Sequence, residues 1–421
     1  ATLKELPKFT GGSLCYYPGF QQPRDGAKLS AELTRVLTRP TGFEAVMRVR
    51  ATKGLRITAF HGNFSIRGTD LLALPNCHPD ASFAVEMVHE DAVLSTGAVS
   101  VQAALLYTTS SGERRIRVHT MAVPTSNLVD DVVKAVDIDC LSNILARQAL
   151  DTALKSGLDA ARQRLQTSCI DVLRGSKAGA GMVPGMAGPG VYGVPPGSQA
   201  PQQDTPTFPE TLQLLPLYTM ALQKSPIFRG GSDIRPDERV FQMAKLNVMG
   251  VETSRYFIYP RMFALHSLPA DACEVTTEPE ATTVGKTVRV TVPPMENLSA
   301  ESLRSDGVFM LENSIDAFVW VGQAARPDVL SALLGVQSLN QVEFGQLQLQ
   351  RTGTALAAKV DRLIKAIEED RNCSLQVHLV REGDQASETR FFRYLVDDRA
   401  SFPDGGRTYS EFMMQISRHA R

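Results

Sequence analysis

The sequence predicts an α+β protein of several domains, because strand patterns and helix patterns occupy separate parts of the chain. Residues 41–125 carry short alternating runs separated by glycine turns, which is typical of a β-sandwich or barrel. Residues 126–255 carry apolar residues at three- and four-residue spacings, which predicts a helical domain. Residues 256–400 alternate between strand and helix patterns, which predicts an α/β or α+β layer. The 421 residues suffice for roughly two to four domains.

Composition and charge limit the class of protein. The formal net charge is −1, which argues against the strongly basic surface that binding to nucleic acid or to an anionic membrane requires. The six cysteines form no CxxC pair, so no zinc site and no disulfide framework is predicted, and a reducing cytosol fits best. No apolar run reaches about 18 residues. The chain starts without Met or a signal pattern, so we expect a fragment of a longer protein.

The first 40 residues combine a loop with one helix. Thr10–Phe20 is punctuated by glycines, which indicates a loop or a short strand. Leu29–Arg39 has apolar residues at helical spacing, and Pro40 ends the pattern because proline cannot continue a helix.

Six candidate strands lie between residues 41 and 125. They are Phe43–Arg50, Leu55–Phe60, Phe64–Arg67, Ser82–His89, Val99–Thr108 and Arg115–Val123. Successive side chains of a strand point to opposite faces. In the first strand, Met47 and Val49 are therefore predicted to face the core, and Arg48 and Arg50 to face solvent.

Residues 101–120 predict a hairpin with a cationic face. In its second strand, Ile116 and Val118 are predicted to face the core. Arg115, Arg117 and His119 are predicted to face solvent. Because a guanidinium group offers a planar fork that matches a carboxylate, the exposed arginines of both strands form a candidate docking surface for acidic ligands. A solvated strand face is the plain alternative, since Arg is common on protein surfaces.

Residues 126–255 predict helices with one interruption. The candidate helices are Asn127–Cys140, Ser142–Leu154, Gly157–Leu173, Glu210–Lys224 and Asp237–Met249. Residues 178–203 contain seven Gly, five Pro and no charge. Such a segment buries too little apolar surface to offset its ordering entropy, so a disordered loop is predicted over residues 175–208.

Residues 256–400 predict a mixed domain. Gly307–Leu311 and Ile315–Val321 flank a turn and predict a hairpin. The other candidates are the helices Asp328–Val336 and Thr354–Glu369 and the strands Leu375–Val380 and Thr389–Val396. Tyr409–Arg421, within the last segment 401–421, has the spacing of a closing helix. The only tryptophan, Trp320, is predicted to be a packed core residue rather than a binding anchor.

Five phrases, in order along the chain, carry a resemblance to one family. They are TGGSLCYYPGF at 10–20, GFEAVMRVRATKGLRI at 42–57, QAALLYTTSSGERRIRVHT at 102–120, FIYPRMFAL at 257–265 and DGVFMLENSIDAFVWVG at 306–322. With them, the chain resembles the cargo-adaptor subunit of the inner layer of the COPII vesicle coat.

The resemblance implies a domain layout. It implies the end of a trunk domain at 1–40, a β-sandwich at 41–125, a helical domain at 126–255, a gelsolin-like α/β domain at 256–400 and a closing helix at 401–421. The family's zinc finger and most of its trunk would precede residue 1. No cofactor or metal is therefore expected in this fragment.

The resemblance also implies a function. The chain would belong to a non-catalytic adaptor, cytoplasmic and peripheral on the ER membrane and on COPII vesicles. Its implied partners are the GTPase-activating sister subunit, the small GTPase of the coat and the cytosolic tails of membrane cargo, with no nucleic acid. Arg48 and Arg50 would bind acidic tail signals in a groove between trunk and sandwich, with Leu105 as an apolar wall. A core position is the alternative for Leu105.

Other functions find less support in the sequence. The hydrolase, zinc-protease and phosphate-loop motifs GxSxG, HExxH and GxxxxGK[ST] are absent. The GTPase-activating sister subunit shares the domain architecture, and Arg351 or Arg381 would then supply an arginine finger. An actin regulator is the third hypothesis, because such proteins also contain gelsolin-like modules.

Overall fold

The computed structural model describes residues 2–67, 70–91, 94, 96–180, 208–277, 288–340, 343–399 and 406–419. Its element order confirms the predicted α+β multidomain fold. Most of the predicted disordered loop over 175–208 falls outside the described residues. Its first residues are helical, because the preceding helix continues to Ala180.

Two helices precede the sandwich: α1 (Glu5–Thr10) and α2 (Gln22–Thr38). The predicted helix Leu29–Arg39 is the C-terminal part of α2, which starts earlier because Pro23 occupies its first turn. The loop between the helices starts at Gly11, with φ +72°. A Cβ there would lie 2.5 Å from the carbonyl oxygen of Asn76, so a glycine lets this loop approach the sandwich.

The described residues of the sandwich form seven strands in two sheets. They are β1 (Gly42–Ala51), β2 (Leu55–His61), β3 (Ser65–Arg67), β4 (Leu71–Cys77), β5 (Ala84–His89), β6 (Ala98–Thr108) and β7 (Arg114–Pro124). One sheet has the order β3-β4-β1-β6-β7, and the other pairs β2 with β5. All pairings within the two sheets are antiparallel.

Strand β4 was not predicted, because Pro75 interrupts its sequence pattern. Proline lacks the N–H that a strand ladder needs and is confined to edges and bulges. Here Ala45 pairs with Leu74 and Phe43 with Asn76. Pro75 thus lies opposite the skipped residue Glu44, where β1 bulges and φ is +48°. The ladder between β1 and β4 has no pair at the position of Pro75.

Six helices lie in the part of the helical region that the structure describes. They are α3 (Val129–Lys134), α4 (Ile138–Ser156), α5 (Leu158–Ala180), α6 (Leu215–Lys224), α7 (Pro236–Leu246) and α8 (Val251–Ile258). The prediction of one helix over Asn127–Cys140 is wrong. Asp137 caps α4 instead, since its Oδ1 accepts hydrogen bonds of 3.0 Å from the backbone N–H groups of Asp139 and Cys140.

The C-terminal part combines a four-stranded sheet with helices. Its strands are β8 (Arg261–Ala264), β9 (Val275–Thr277), β10 (Val288–Val290), β11 (Val308–Glu312), β12 (Asp316–Val321) and β13 (Gln376–Arg381). Its helices are α9 (Pro327–Leu334), α10 (Ala355–Arg371), α11 (Gln385–Phe392) and α12 (Tyr409–His419). The sheet order is β13-β12-β11-β8, and β9 pairs with β10. The predicted hairpin is confirmed as β11 and β12.

The predicted strand Thr389–Val396 is wrong, because this segment lies mainly in helix α11 and the turn after it. Its consecutive aromatic residues favour a strand by propensity. Phe391 and Leu395 are nevertheless both buried. Val396, which is adjacent to Leu395, is buried as well, whereas successive side chains of a strand point to opposite faces.

A buried charge cluster joins the helical part to the C-terminal sheet. Glu312, at the end of β11, is fully buried. Its carboxylate lies 2.6 Å from Arg261 Nε and accepts hydrogen bonds of 2.6 and 3.0 Å from Arg371. The ring of Tyr256, on α8, lies 4.1 Å from both guanidinium carbons. Burial raises the pKa of Glu312, but the hydrogen bond and charge of Arg371, together with Arg261, outweigh it, so the net pKa is lowered.

Replacing Glu312 with alanine should destabilise the C-terminal domain by about 3–5 kcal/mol, because two guanidinium groups would remain buried without their carboxylate. Urea unfolding followed by the fluorescence of Trp320, which lies on β12, measures this loss. Glu301→Ala is the matched control, since Glu301 is exposed. Equal unfolding midpoints for the two variants would contradict the assigned role of Glu312.

Arg147 links the sandwich to the helical part. It lies on α4 and is only 1% exposed. Its guanidinium donates to the carbonyl oxygens of His61, Ser82 and Met249 at 3.3, 3.3 and 2.7 Å. Burial lowers its pKa to about 10. The group therefore stays charged at neutral pH and ties three separate segments together.

His61 forms a second link at the same junction. Its Nε2 lies 2.7 Å from Glu86 Oε1 on β5, and its Nδ1 lies 2.9 Å from Asp151 Oδ2 on α4. The hydrogen bond to Asp151 raises the pKa of His61, burial lowers it, and the bond to Glu86 raises it again, with a net upward shift. Both ring nitrogens donate to carboxylates only in the protonated imidazolium.

The contribution of His61 to stability should depend on pH. Because its pKa is raised in the folded state, the stabilisation is fully present below the ordinary value of 6.5 and is lost as pH rises through the raised pKa. Thermal melts of the wild type and of His61→Gln across this range should therefore converge at high pH. His119→Gln, at an exposed position, is the control. A constant difference between wild type and His61→Gln at all pH values would refute the assignment.

Candidate functional site

The candidate site lies on the outer face of the five-stranded sheet. After the bulge at Glu44, β1 buries Ala45 and Val49, while residues 46–48 are partly exposed. Val49 is buried, whereas Arg50 is exposed and Arg48 is partly exposed. The predicted alternation of β1 is confirmed, and the sheet holds both guanidinium groups on the face away from its core.

Small and apolar side chains surround the two arginines. Residues directly opposite each other in antiparallel strands share a face. Arg48 lies opposite Leu71 on β4 and Ala104 on β6, and Arg50 lies opposite Gln102 on β6. Ala104 is a small residue, so its side chain extends little from the sheet beside Arg48. A ligand carboxylate that reaches this arginine would contact aliphatic groups at the same time.

The two arginines differ in their own charge partners. Arg48 Nε lies 3.0 Å from Asp70 Oδ2, and its Nη2 donates a hydrogen bond of 3.1 Å to Oδ1. The guanidinium group of Arg48 is thus already paired with the carboxylate of Asp70. Arg50 has no ion pair or side-chain hydrogen bond to the part of the chain that the structure describes. An incoming carboxylate can pair directly with Arg50, but at Arg48 it must compete with Asp70.

Leu105 does not share the face of the two arginines. It lies opposite Met47 on β1 and opposite Arg117 on β7. Since Met47 is adjacent to Arg48 in the strand, its side chain points to the other face. The expectation that Leu105 forms an apolar wall beside Arg48 and Arg50 is therefore wrong. Its partly buried side chain lies on the core side of the sheet.

The predicted orientation of β7 is also wrong. Ile116 and Val118 were expected in the core, but they are 69% and 51% exposed. All eleven residues of β7 are exposed, because β7 is the last strand of its sheet and the opposing sheet has only two strands. Val118 lies opposite Ala104 and so belongs to the face of Arg48. Arg115 and Arg117 point to the other face.

Three residues of this site, Asp70, Ala104 and Val118, were not predicted from the sequence. Asp70 follows a loop, and no spacing rule connects it to Arg48. Ala104 and Val118 lie in recognised strands, but their place beside Arg48 depends on the strand order β1-β6-β7. A hairpin pattern alone does not say which strand lies on its other side.

A cleft of about 720 Å³ lies where the N-terminal helices, the sandwich, the helical part and the end of α10 meet. It has the size of a small-molecule pocket. Several of its charged side chains are paired with one another: Arg35 and Arg39 both contact Asp80, and His61 contacts Asp151. These pairs join the surrounding segments, so we assign the cleft no chemistry of its own.

Other kinds of site receive no support from the described part of the chain. It contains no group of three His, Cys, Asp or Glu side chains that could hold a metal ion. Among the described helices, none has the length and apolarity needed to cross a membrane. Trp320 is confirmed as a core residue, with 3% exposure and a hydrogen bond of 3.0 Å from Nε1 to Glu388.

Three family models match the chain in the order of its domains. The Sec23/Sec24 beta-sandwich domain matches residues 42–126, and the Sec23/Sec24 helical domain matches residues 137–256. A gelsolin repeat matches residues 289–358.

Individual relatives and a solved structure agree with these matches. Sec24A of Mus musculus is 34% identical over 99% of this chain and 36% of its own length, and Sec24B of Homo sapiens is 33% identical over 99% and 31%. SEC24 A of Arabidopsis thaliana is 33% identical over 100% and 38%. All three are named protein transport proteins. The crystal structure of the human COPII-coat protein Sec24c superposes with a TM-score of 0.84 at 28% identity, covering 99% of this chain and 50% of that one.

The chain thus spans about a third of the length of these curated relatives. The matched relatives are Sec24 proteins, and the matched domains follow one another as in the Sec23/Sec24 models. The chain therefore belongs to the Sec24 branch of the Sec23/Sec24 family and comprises its β-sandwich, helical and gelsolin regions.

Proposed function

We propose that this chain is the cargo-contacting part of a vesicle-coat adaptor that binds acidic signals in the cytosolic tails of membrane proteins. The observation that carries the proposal is the exposed Arg50, which has no charge partner among the described residues and lies on the same sheet face as Arg48. The Sec24 relatives, which are named transport proteins, support the same function.

The chemistry of the face suits a short peptide. A flexible tail offers only a few contacts, and hydrogen bonds between a guanidinium and a carboxylate are among the strongest available to it. The strand pairing fixes the backbone positions of both arginines before binding, so association orders only their side chains and the peptide. Ala104 and Val118 supply apolar surface next to the charges. One acidic and one aliphatic side chain of a tail would therefore be bound together.

The whole protein would act in the inner layer of the COPII coat, next to the GTPase-activating sister subunit and the small GTPase. It would be a cytoplasmic protein, peripheral on the ER membrane and on vesicles. It would bind tails without catalysing a reaction, since the contact with Arg48 and Arg50 needs no bond to be made or broken.

A GTPase-activating role has weaker support. An arginine finger must reach into the partner's active site. Arg351 is paired with Asp361 at 3.2 Å, and Arg381 donates a hydrogen bond of 2.9 Å to Asn340. Both side chains are thus engaged within this chain. The relatives are named Sec24 and not Sec23. An actin-regulating role rests only on the single gelsolin match at 289–358.

The double variant Arg48→Ala plus Arg50→Ala should bind a diacidic cytosolic-tail peptide roughly tenfold more weakly, because each exposed ion pair contributes about 0.2–1 kcal/mol. Fluorescence anisotropy of a labelled tail peptide, at low and at high salt, measures the loss. The wild-type affinity should fall with added salt and the variant's should change less.

Arg56→Ala is the matched control for this measurement. Arg56 is an exposed arginine on β2, in the other sheet, and lies 3.8 Å from Glu90. Its removal changes the net charge of the chain by one unit without touching the proposed contact. Unchanged binding by the double variant, or equal weakening by Arg56→Ala, would overturn the site.

Asp70→Asn should strengthen binding of the same peptide roughly threefold, because the neutral amide no longer competes for the guanidinium of Arg48. The gain should vanish when Arg48→Ala is combined with Asp70→Asn. A double-mutant cycle by anisotropy tests this coupling. Tighter binding that persists without Arg48 would mean that Asp70 acts only through long-range charge.

A further inference from the structure

A third arginine lies on the outer face of the five-stranded sheet. Arg67, the last residue of β3, lies opposite Leu71 on β4. Leu71 in turn lies opposite Arg48 on β1. Because residues that lie directly opposite each other in antiparallel strands share a face, Arg67, Leu71 and Arg48 form one row across the sheet. The sequence did not predict this row, because β4 was not predicted.

The three arginines of this face differ in their charge partners. Arg67 is exposed, and it has no ion pair or side-chain hydrogen bond to the residues that the structure describes. The same holds for Arg50, whereas Arg48 is paired with Asp70. Two guanidinium groups of the face, those of Arg50 and Arg67, can therefore each bind a carboxylate without displacing a partner from the described part of the chain.

The separation of Arg50 and Arg67 follows from the geometry of the sheet. Strand β3 lies two strands away from β1, and Arg50 lies two residues beyond Arg48. With strands about 4.8 Å apart and residues about 3.4 Å apart along a strand, the backbone positions of Arg50 and Arg67 are about 12 Å apart. An extended peptide advances about 3.3–3.6 Å per residue. Carboxylates three or four residues apart in a tail match this separation.

Apolar surface lies between the two cations. The partly exposed Leu71 separates Arg67 from Arg48 in the row. A peptide that reaches from Arg67 to Arg50 therefore crosses the side chain of Leu71. An aliphatic residue between the two carboxylates would bury apolar surface there, which is favourable because this surface is removed from water.

We propose that Arg67 is a specificity-determining residue of the tail-binding face and selects tails with two carboxylates three or four residues apart and an aliphatic residue between them. One carboxylate would pair with Arg50 and the other with Arg67, while the aliphatic residue contacts Leu71. The inference rests on the proposed function and adds to it a second binding position and a required spacing. A tail with a single acidic residue reaches only one of the two guanidinium groups.

A charge on a short edge strand can also serve only to prevent unwanted strand pairing. Strand β3 has three residues and lies at the end of its sheet, so Arg67 fits that role too. Side chains of a strand stand roughly perpendicular to the sheet, however, which directs Arg67 to the face of Arg48 rather than along the edge. The two roles differ in one measurable respect, because edge protection does not depend on a second carboxylate in the ligand.

The experiment measures binding of labelled synthetic peptides to the 421-residue chain by fluorescence anisotropy. In the reference peptide, the second Glu follows the first by three positions, with Leu between them and Ser and Gly elsewhere. One control peptide has Gln in place of one Glu. The other has the same composition with the two Glu adjacent. The protein variants are Arg67→Ala, Arg67→Lys, Arg48→Ala plus Arg50→Ala, and the exposed control Arg56→Ala on β2.

Arg67→Ala should weaken binding of the reference peptide roughly threefold, as expected for the loss of one exposed ion pair. It should change binding of the single-Glu peptide by less than twofold, because one carboxylate can still reach Arg50. The loss in Arg67→Ala and the loss on replacing one Glu by Gln should not add, since both remove the same contact. Arg67→Lys should keep part of the affinity, because the charge remains but the planar fork is lost. Arg56→Ala should affect all peptides alike and by less than twofold.

Four results would overturn the proposal. Equal weakening of the reference and single-Glu peptides by Arg67→Ala would show a general charge effect. Equal affinities for the spaced and the adjacent Glu residues would refute the required spacing. If Arg67→Ala weakens no peptide while Arg48→Ala plus Arg50→Ala still does, the proposed function stands and Arg67 only protects the edge. Unchanged binding in Arg48→Ala plus Arg50→Ala would overturn the proposed function and this inference together.

Discussion

The fully buried carboxylate of Glu312 constrains how the helical and C-terminal parts of this chain fit together. It lies between Arg261, at the start of β8, and Arg371, at the end of α10. Two buried guanidinium groups and one carboxylate leave a net positive charge in the interior, which the ring of Tyr256 on α8 contacts with its electron-rich face. Because a buried charge is costly without its partners, strand, helix end and neighbouring helix must all keep these positions. The C-terminal sheet and the helical part therefore form one unit.

Buried polar groups with partners on several elements also hold the sandwich against the helical part. Arg147 and His61 are buried polar groups whose partners come from both sides of the junction. Neither can leave its place without breaking several hydrogen bonds at once. The five-stranded sheet is thereby fixed relative to the rest of the chain. For a surface that recognises flexible peptides, a fixed scaffold matters, since only the ligand then loses conformational entropy on binding.

One sheet presents cations in two directions. Arg48 and Arg50 point from its middle to the outer face, where β6 and β7 add small and apolar side chains. Arg115 and Arg117 point from its last strand to the other face, which the two-stranded sheet leaves uncovered there. The first pair suits a carboxylate that approaches the face. The net charge of −1 gives no hint of either surface, because both are local.

The sequence by itself determined the features that follow from the spacing of apolar and polar residues along the chain. The alternation of β1, the hairpin of β11 and β12, the helix α10 and the order of the domains were all predicted, because each is set by residues close together in the chain. Tertiary structure decided which sheet faces are covered and which side chains meet, because both depend on residues far apart in the chain. Alternation states which side chains share a face, but strand order and the width of the opposing sheet decide whether that face is covered. For this reason Ile116 and Val118 are exposed, Leu105 lies away from Arg48, and Asp70 occupies a guanidinium that the sequence had left free.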